Sequence, residues 1–273
     1  MTSDLGLFRR HRLLRGHRFG AAAVGAVSAG LCVTLVLAVV TAAPAANSTA
    51  DDGAQIGESL ATMLSAVRTV ISKNQDRINN PDIGDKGLDG KVVLSEAGVL
   101  YQQATGTAPA SIDPNSLHGR LIRMQMDAIE EVMEVHQETI NRQDVGFKGF
   151  IPAVFSRLVN EAFGRRAAGV AEMKVTAPLA LLRNPQVRPD DWELGVIETK
   201  LQAPGWPKDQ PFMAKAPKND GMLAERALFP EYYGRSCLTC HGSPRGEIDI
   251  TGFPKEGAKE GDLGGIISIA LYR

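Results

Sequence analysis

Cysteine is scarce, with three in 273 residues, at positions Cys32, Cys237 and Cys240. Three thiols, one of them inside an apolar run, cannot build a disulfide framework. Histidine is scarce too, at five positions, and there is no second Cys-x-x-Cys pair. A four-ligand zinc site therefore has no ready donor set. Neither sign of charge prevails: 30 Lys and Arg face 31 Asp and Glu, for a net charge of −1. Without a basic surplus the chain lacks the electrostatic footprint that a nucleic-acid partner requires. No repeat or low-complexity tract divides it. The apolar share of 44% suits a globular body with its own core.

Charge is also missing from residues 19–43, where Ala, Val, Leu and Gly dominate. That run exceeds the roughly 20 residues a helix needs to cross a hydrocarbon core. Arg9, Arg10, Arg12, Arg15 and Arg18 precede it, and Asp51 and Asp52 follow. The positive-inside rule then leaves the N-terminus in the cytoplasm and exports the rest. The expected organisation is a basic cytoplasmic segment 1–18, a transmembrane signal anchor 19–43 and a linker 44–55. An extracytoplasmic domain 56–273 follows, helical over 56–168 and sheet-forming over 169–273. The chain is thus expected to cross a bacterial inner membrane once, with its body in the periplasm. A cleaved signal peptide, giving a soluble periplasmic form, is the rival reading. The small residues Thr41-Ala42-Ala43-Pro44-Ala45-Ala46 suit it, but the apolar run is longer than the roughly 7–15 residues of a signal core.

Beyond the linker, Ile56, Leu60, Met63, Leu64, Val67, Val70 and Ile71 recur at helical spacing. They predict an amphipathic helix that either packs on the body or pairs with a second copy in a homodimer. Residues 74–90 read as a loop and 92–103 as a short helix. Pro114 is expected to open a long helix whose stripe runs from Leu117 through Met133 and His136 to Ile140. Pro152 opens another, through Phe155, Val159 and Phe163. After Gly169 the pattern changes. Met173-Lys174-Val175-Thr176 alternates as a strand does, and Asp190 is a candidate N-cap for a helix through Trp192, Val196 and Leu201. Segments 212–216 and 222–229 read as a hairpin around Pro217-Lys218-Asn219-Asp220-Gly221, and 264–271 as a buried strand. The fold class is α+β: a membrane helix, a helical segment, then a small antiparallel sheet.

Between the last strands stands Cys237-Leu238-Thr239-Cys240-His241. In Cys-x-x-Cys-His two thiols add to the two vinyl groups of haem. One helical turn sets positions i, i+3 and i+4 on one side, so the imidazole faces the iron. The residues therefore predict one covalent haem c on Cys237 and Cys240, with His241 an axial iron ligand. A thioredoxin-type redox pair would need a helix after the motif, and Gly242, Pro244 and Gly246 oppose one. Export supports the haem reading, because covalent haem attachment is an extracytoplasmic step.

Residues 146–273 resemble the DUF3365 family, the Tll0287-like c-type haem domains with a PAS-like fold. The resemblance is carried by Arg183-Asn184-Pro185, Pro189-Asp190-Asp191-Trp192-Glu193, Ser236-Cys237-Leu238-Thr239-Cys240-His241-Gly242 and Lys259-Glu260-Gly261-Asp262-Leu263-Gly264-Gly265. It implies thioether roles for Cys237 and Cys240 and an axial role for His241. Some members take their other ligand from a Cys in the helix before the Arg-Asn-Pro segment, and here 152–166 contains none. Candidates for the sixth ligand are His136, His118, Met124, Met133, Met173, Met213 and Met222, or an open position. Arg183 and Arg188 are candidate contacts for haem propionates, while Trp192 reads as core.

Two functions follow from such a domain. It can be a sensor or signal-input module for redox state or a gas ligand, with its output on a partner protein, since no kinase, cyclase or methyl-accepting pattern occurs in these residues. Alternatively it is a membrane-tethered electron carrier serving a periplasmic redox partner. No acid/base pair or second cofactor motif points to an enzyme. The double substitution Cys237→Ala with Cys240→Ala is expected to abolish haem staining of the denatured protein on a gel.

Overall fold

The computed structural model describes residues 48–272. The basic segment, the expected anchor 19–43 and Cys32 lie outside the described residues. Among the described residues no helix is long and apolar enough to cross a membrane.

The chain begins with α1 (Ser48–Lys73). Its start precedes Ile56, so the later part of the expected linker is helical. A short helix, α2 (Gln75–Asn79), interrupts the loop expected over 74–90. Next come α3 (Gly90–Thr105) and α4 (Leu117–Val135). Pro114 does not open α4. Ser116 caps it instead, its Oγ accepting the Gly119 N–H at 2.9 Å, because a hydroxyl there satisfies a free amide and proline cannot. The stripe ending at Ile140 is broken at His136, after which α5 (Gln137–Asn141) continues it. Then α6 (Pro152–Arg166) begins at its proline as expected.

Helices α1, α3, α4 and α6 pack on one another. Their shared core holds the predicted α1 stripe, Leu60, Leu64, Val67 and Ile71, with Leu121, Ile129, Met133, Phe155 and Phe163. The apolar face of α1 is thus spent on the chain's own body. Two polar ties cross this layer: Ser59 Oγ lies 2.6 Å from Tyr101 Oη, and Gln125 Nε2 donates to Leu60 O at 2.9 Å.

Four antiparallel strands follow: β1 (Ala171–Thr176), β2 (Phe212–Pro217), β3 (Leu223–Tyr232) and β4 (Leu263–Tyr272), in the order β1-β4-β3-β2. The period of two assigns the faces of β4. Ile267, Ile269 and Leu271 join the helical core, while Ile266 lies in a second cluster with Val196, Ile197, Leu201 and Leu228. This central strand is buried on both faces, hence its almost unbroken apolar run.

The second face is covered by α7 (Asp191–Val196), which continues as a π-helical turn, Ile197–Leu201. Asp190 caps α7 in a full capping box with Glu193. Beneath it Arg226 is buried, with Nη2 2.6 Å from Asp190 Oδ2 and 3.3 Å from Glu193 Oε1. Ser268 Oγ donates to Glu193 at 2.5 Å, and Lys174 Nζ lies 2.8 Å away. The Arg226 guanidinium also stacks 4.2 Å from the Trp192 ring centroid. Trp192 is partly buried and packs against the second cluster, at the edge of the core where it is expected. Burial disfavours the Asp190 charge, but the Glu193 N–H and Arg226 outweigh it, and the carboxyl titrates below its ordinary range.

Asp190→Ala removes the cap and half of a buried ion pair. It is expected to lower unfolding free energy by about 3–5 kcal/mol, measured as the shift in a urea transition at constant slope.

Candidate haem-attachment site

The bond pattern between β3 and β4 prepares the site. Their register shifts between Glu231 and Tyr232, which pair with Gly265 and Leu263 and leave Gly264 as the extra residue. Such a bulge bends the strand and re-aims nearby side chains. A Cβ on Gly264 would fall 2.4 Å from the Tyr233 ring, so glycine makes room for that ring to lie against the strand. Tyr233 then stacks on His241, with centroids 4.7 Å apart and planes 22° apart.

The motif itself is compact. A 3₁₀ turn, Arg235–Cys237, leads into a single helical turn, α8 (Leu238–His241). Gly242 ends it by donating its N–H to Leu238 O at 2.9 Å. A Cβ there would meet that same oxygen at 2.5 Å, so the residue after the motif must be glycine in this geometry. The expected helical turn is present and the long helix of a thioredoxin-type site is not. Both thiols are free and partly exposed. Burial pushes the Cys240 thiol up, with Asp249 adding to it, which keeps it protonated and poorly suited to thiolate redox chemistry. Among the described residues no three His, Cys, Asp or Glu side chains are grouped to hold a metal ion.

The imidazole of His241 is held on one side. Nδ1 lies 2.8 Å from Glu256 Oε2 and 3.2 Å from Tyr233 Oη. Nε2 has no hydrogen-bond partner among the described residues. A carboxylate on Nδ1 selects the tautomer whose Nε2 lone pair is available to a metal. The Tyr233 hydroxyl is pushed up to about 12, first by burial and then by the charge of Glu256, so it keeps its proton.

Arg183 organises the surrounding loop. Nε donates to Glu256 Oε1 at 2.7 Å and Nη2 to Glu256 Oε2 at 3.1 Å. Nη1 donates to Asp249 Oδ2 at 2.7 Å and to Thr251 Oγ1 at 3.4 Å, and Nη2 also to the Cys240 carbonyl at 2.9 Å. Its five N–H donors thus meet five protein acceptors, and Phe253 lies 5.4 Å over the guanidinium. The loop is pinned at its base, where Ala258 N donates to His241 O at 2.8 Å and Gly257 N to Gly242 O at 3.1 Å. Asp249 is turned inward, while Ile248 and Ile250, both 63% exposed, and Phe253, 43% exposed, face out.

The remaining sequence candidates are elsewhere. His136 ends α4, with Nδ1 2.9 Å from Val132 O and its ring 5.4 Å from Phe150. His118 is part-buried on α4, where burial lowers its pKa. Met133 and Met173 are core, Met124 packs against the core, and Met213 and Met222 are exposed on the hairpin. Arg188 is exposed, in a polar hollow with Lys174 and Lys218. Arg183 is in the site, but its N–H donors are committed to Glu256, Asp249, Thr251 and the Cys240 carbonyl. Reading the residues alone missed Glu256, Asp249 and Tyr233, since no spacing rule links a carboxylate fifteen residues downstream to the motif histidine.

In comparison with known families, the model Tll0287-like: Tll0287 matches residues 46–271. It extends over the helical layer as well as the sheet, beyond the segment that carried the resemblance. The chain therefore belongs to this family, and membership is consistent with a haem-binding domain. No curated protein and no solved structure matches it.

Removing Arg183 strands two carboxylates. Arg183→Ala is expected to destabilise the loop by about 3–5 kcal/mol, seen as faster hydrogen exchange at Gly242, Gly257 and Ala258. Burial opposes the Asp249 charge, but Thr251, Arg183 and backbone N–H groups outweigh it and hold the carboxyl well below its ordinary range. A depressed carboxyl stabilises above its unfolded value and loses that stability as pH falls through its folded one. Exchange protection in the wild-type loop is therefore expected to hold from pH 7 down to about 4 and to fall below it.

Proposed function

With membership of the Tll0287-like family as premise, we propose that this chain carries one covalent haem c on Cys237 and Cys240, with His241 as axial ligand. We read it as a membrane-anchored periplasmic signal-input domain for redox state or a gas ligand. One observation carries the reading: Glu256 holds Nδ1 of His241 and leaves Nε2 without a partner, on the helical turn that presents both free thiols.

The residues suit such a group. Cys237 and Cys240, at i and i+3 of one turn, would hold it by thioether bonds, and His241, at i+4, would ligate its iron. Ile248, Ile250 and Phe253 offer apolar surface on the loop that Arg183 ties to the motif. When bound, the haem supplies one-electron chemistry and an iron coordination position. The protein's own part is to fix the imidazole plane through Tyr233 and its tautomer through Glu256.

Sensing is favoured over simple electron transfer by the setting of the sixth-ligand candidates. The contacts of His136 and the burial of Met133 and Met173 belong to the helical core rather than to the motif loop. An iron with one protein ligand can take a small molecule on the other side. The uncharged run at 19–43 with five arginines before it supports the anchor. The second reading, a tethered electron carrier for a periplasmic redox partner, is supported by the exposure of the motif loop, which would leave a haem edge accessible.

Optical spectra of the purified ferric and ferrous protein, with and without carbon monoxide, separate the two. The expected outcome is a covalent-haem spectrum whose ferrous bands shift with carbon monoxide. A six-coordinate spectrum that ignores the gas would overturn gas sensing and leave the carrier.

A further inference from the structure

We infer that Glu256 is a positioning residue that sets the donor strength of His241 and thereby lowers the reduction potential of the iron it would bind. This rests on the haem reading above and goes beyond it, since attachment needs only the two thiols and the imidazole.

An axial imidazole bound through Nε2 keeps a proton on Nδ1, and the acceptor of that proton tunes the ligand. Water or a carbonyl leaves the ring close to neutral, whereas a carboxylate draws the proton and makes Nε2 a stronger donor. A stronger donor stabilises ferric iron relative to ferrous and lowers the potential. Here the nearer partner of Nδ1, and the only charged one, is Glu256 Oε2 at 2.8 Å, with the neutral Tyr233 hydroxyl at 3.2 Å. The side chains of Glu256 and His241 are 16% and 26% exposed, so water competes weakly for the bond.

The carboxylate also has little freedom to turn away. Arg183 grips both of its oxygens, and the same guanidinium is fixed by Asp249 and the Cys240 carbonyl. On the other side the Tyr233 ring, seated over Gly264, holds the imidazole plane. Acceptor and ring are therefore clamped separately, and the short bond results from both clamps. Neither Arg183 nor Glu256 is required for two thioether bonds to form. Their combined geometry makes sense as control of the ligand.

The test uses the full chain as purified with its haem. Staining of the denatured wild type comes first, and absence of covalent haem there sinks the haem reading itself. Potentials are then measured by spectroelectrochemical titration for the wild type, Glu256→Gln, Glu256→Asp and Glu247→Gln. At a fixed potential Glu256→Gln is expected to raise the ferrous-to-ferric ratio about tenfold, a rise of about 59 mV for a one-electron couple. Glu256→Asp keeps the charge but withdraws the oxygen from Nδ1, so its potential should rise by less. Glu247, half exposed and paired with Lys255 in the same loop, serves as the charge control, and its loss should change the ratio by less than about threefold. An unchanged potential in Glu256→Gln overturns the inference, as does an equal rise in Glu247→Gln. Should Glu256→Gln fail to fold, the absence of any rise in Glu256→Asp overturns it.

Discussion

One guanidinium holds the site together. Arg183 meets Asp249, Thr251, Glu256 and the Cys240 carbonyl with every N–H it has. A planar, always-charged fork suits this task, since it can bind a carboxylate through two atoms and still reach three other groups. Burying two carboxylates beside each other would be costly on its own. Around Arg183 they become the frame of a glycine- and proline-rich loop whose base is tied by the backbone bonds of Gly257 and Ala258. His241 inherits its orientation from this frame through Glu256, and the apolar residues flanking Asp249 are turned outward because Asp249 itself is turned in.

The frame depends in turn on how β3 ends. The bulge against β4 and the glycine at 264 let Tyr233 fold back over the motif. Just before it, Glu231 is paired with Arg68 on α1. The first helix, the central strands and the motif loop are thus joined by direct contacts. On the opposite face, Arg226 plays under α7 a part similar to that of Arg183, buried among Asp190, Glu193 and Trp192. The two segments around Arg183 and Asp190 are each explained by one guanidinium, part-buried at Arg183 and fully buried at Arg226, and the carboxylates that neutralise it.

Much of this was legible in the residues. The α1 stripe, the proline at the start of α6, the N-cap at Asp190, the hairpin and the buried last strand all follow local rules of period and capping, and each has a counterpart in the structure. The errors were also local. Pro114 reads as a helix start, yet the hydroxyl two residues later makes the cap. A linker is expected over 44–55, yet a helix already runs from Ser48. The loop of 74–90 hides a helical turn because so short an element carries no period.

The site divides in the same way. Cys237, Cys240 and His241 could be named from sequence because their chemistry depends on spacing within one helical turn. Glu256, Asp249 and Tyr233 could not, because they reach the motif only through a bulge, a glycine without a side chain and a loop closed on Arg183. Conversely, His136 and Met133 stood out as candidate ligands, and only packing showed the first against Phe150 and the second inside the helical core. The sequence by itself determined which atoms can form bonds within a turn. Which carboxylate faces the histidine was decided by tertiary structure, since contacts between distant segments depend on how strands and loops close, and no local pattern encodes that.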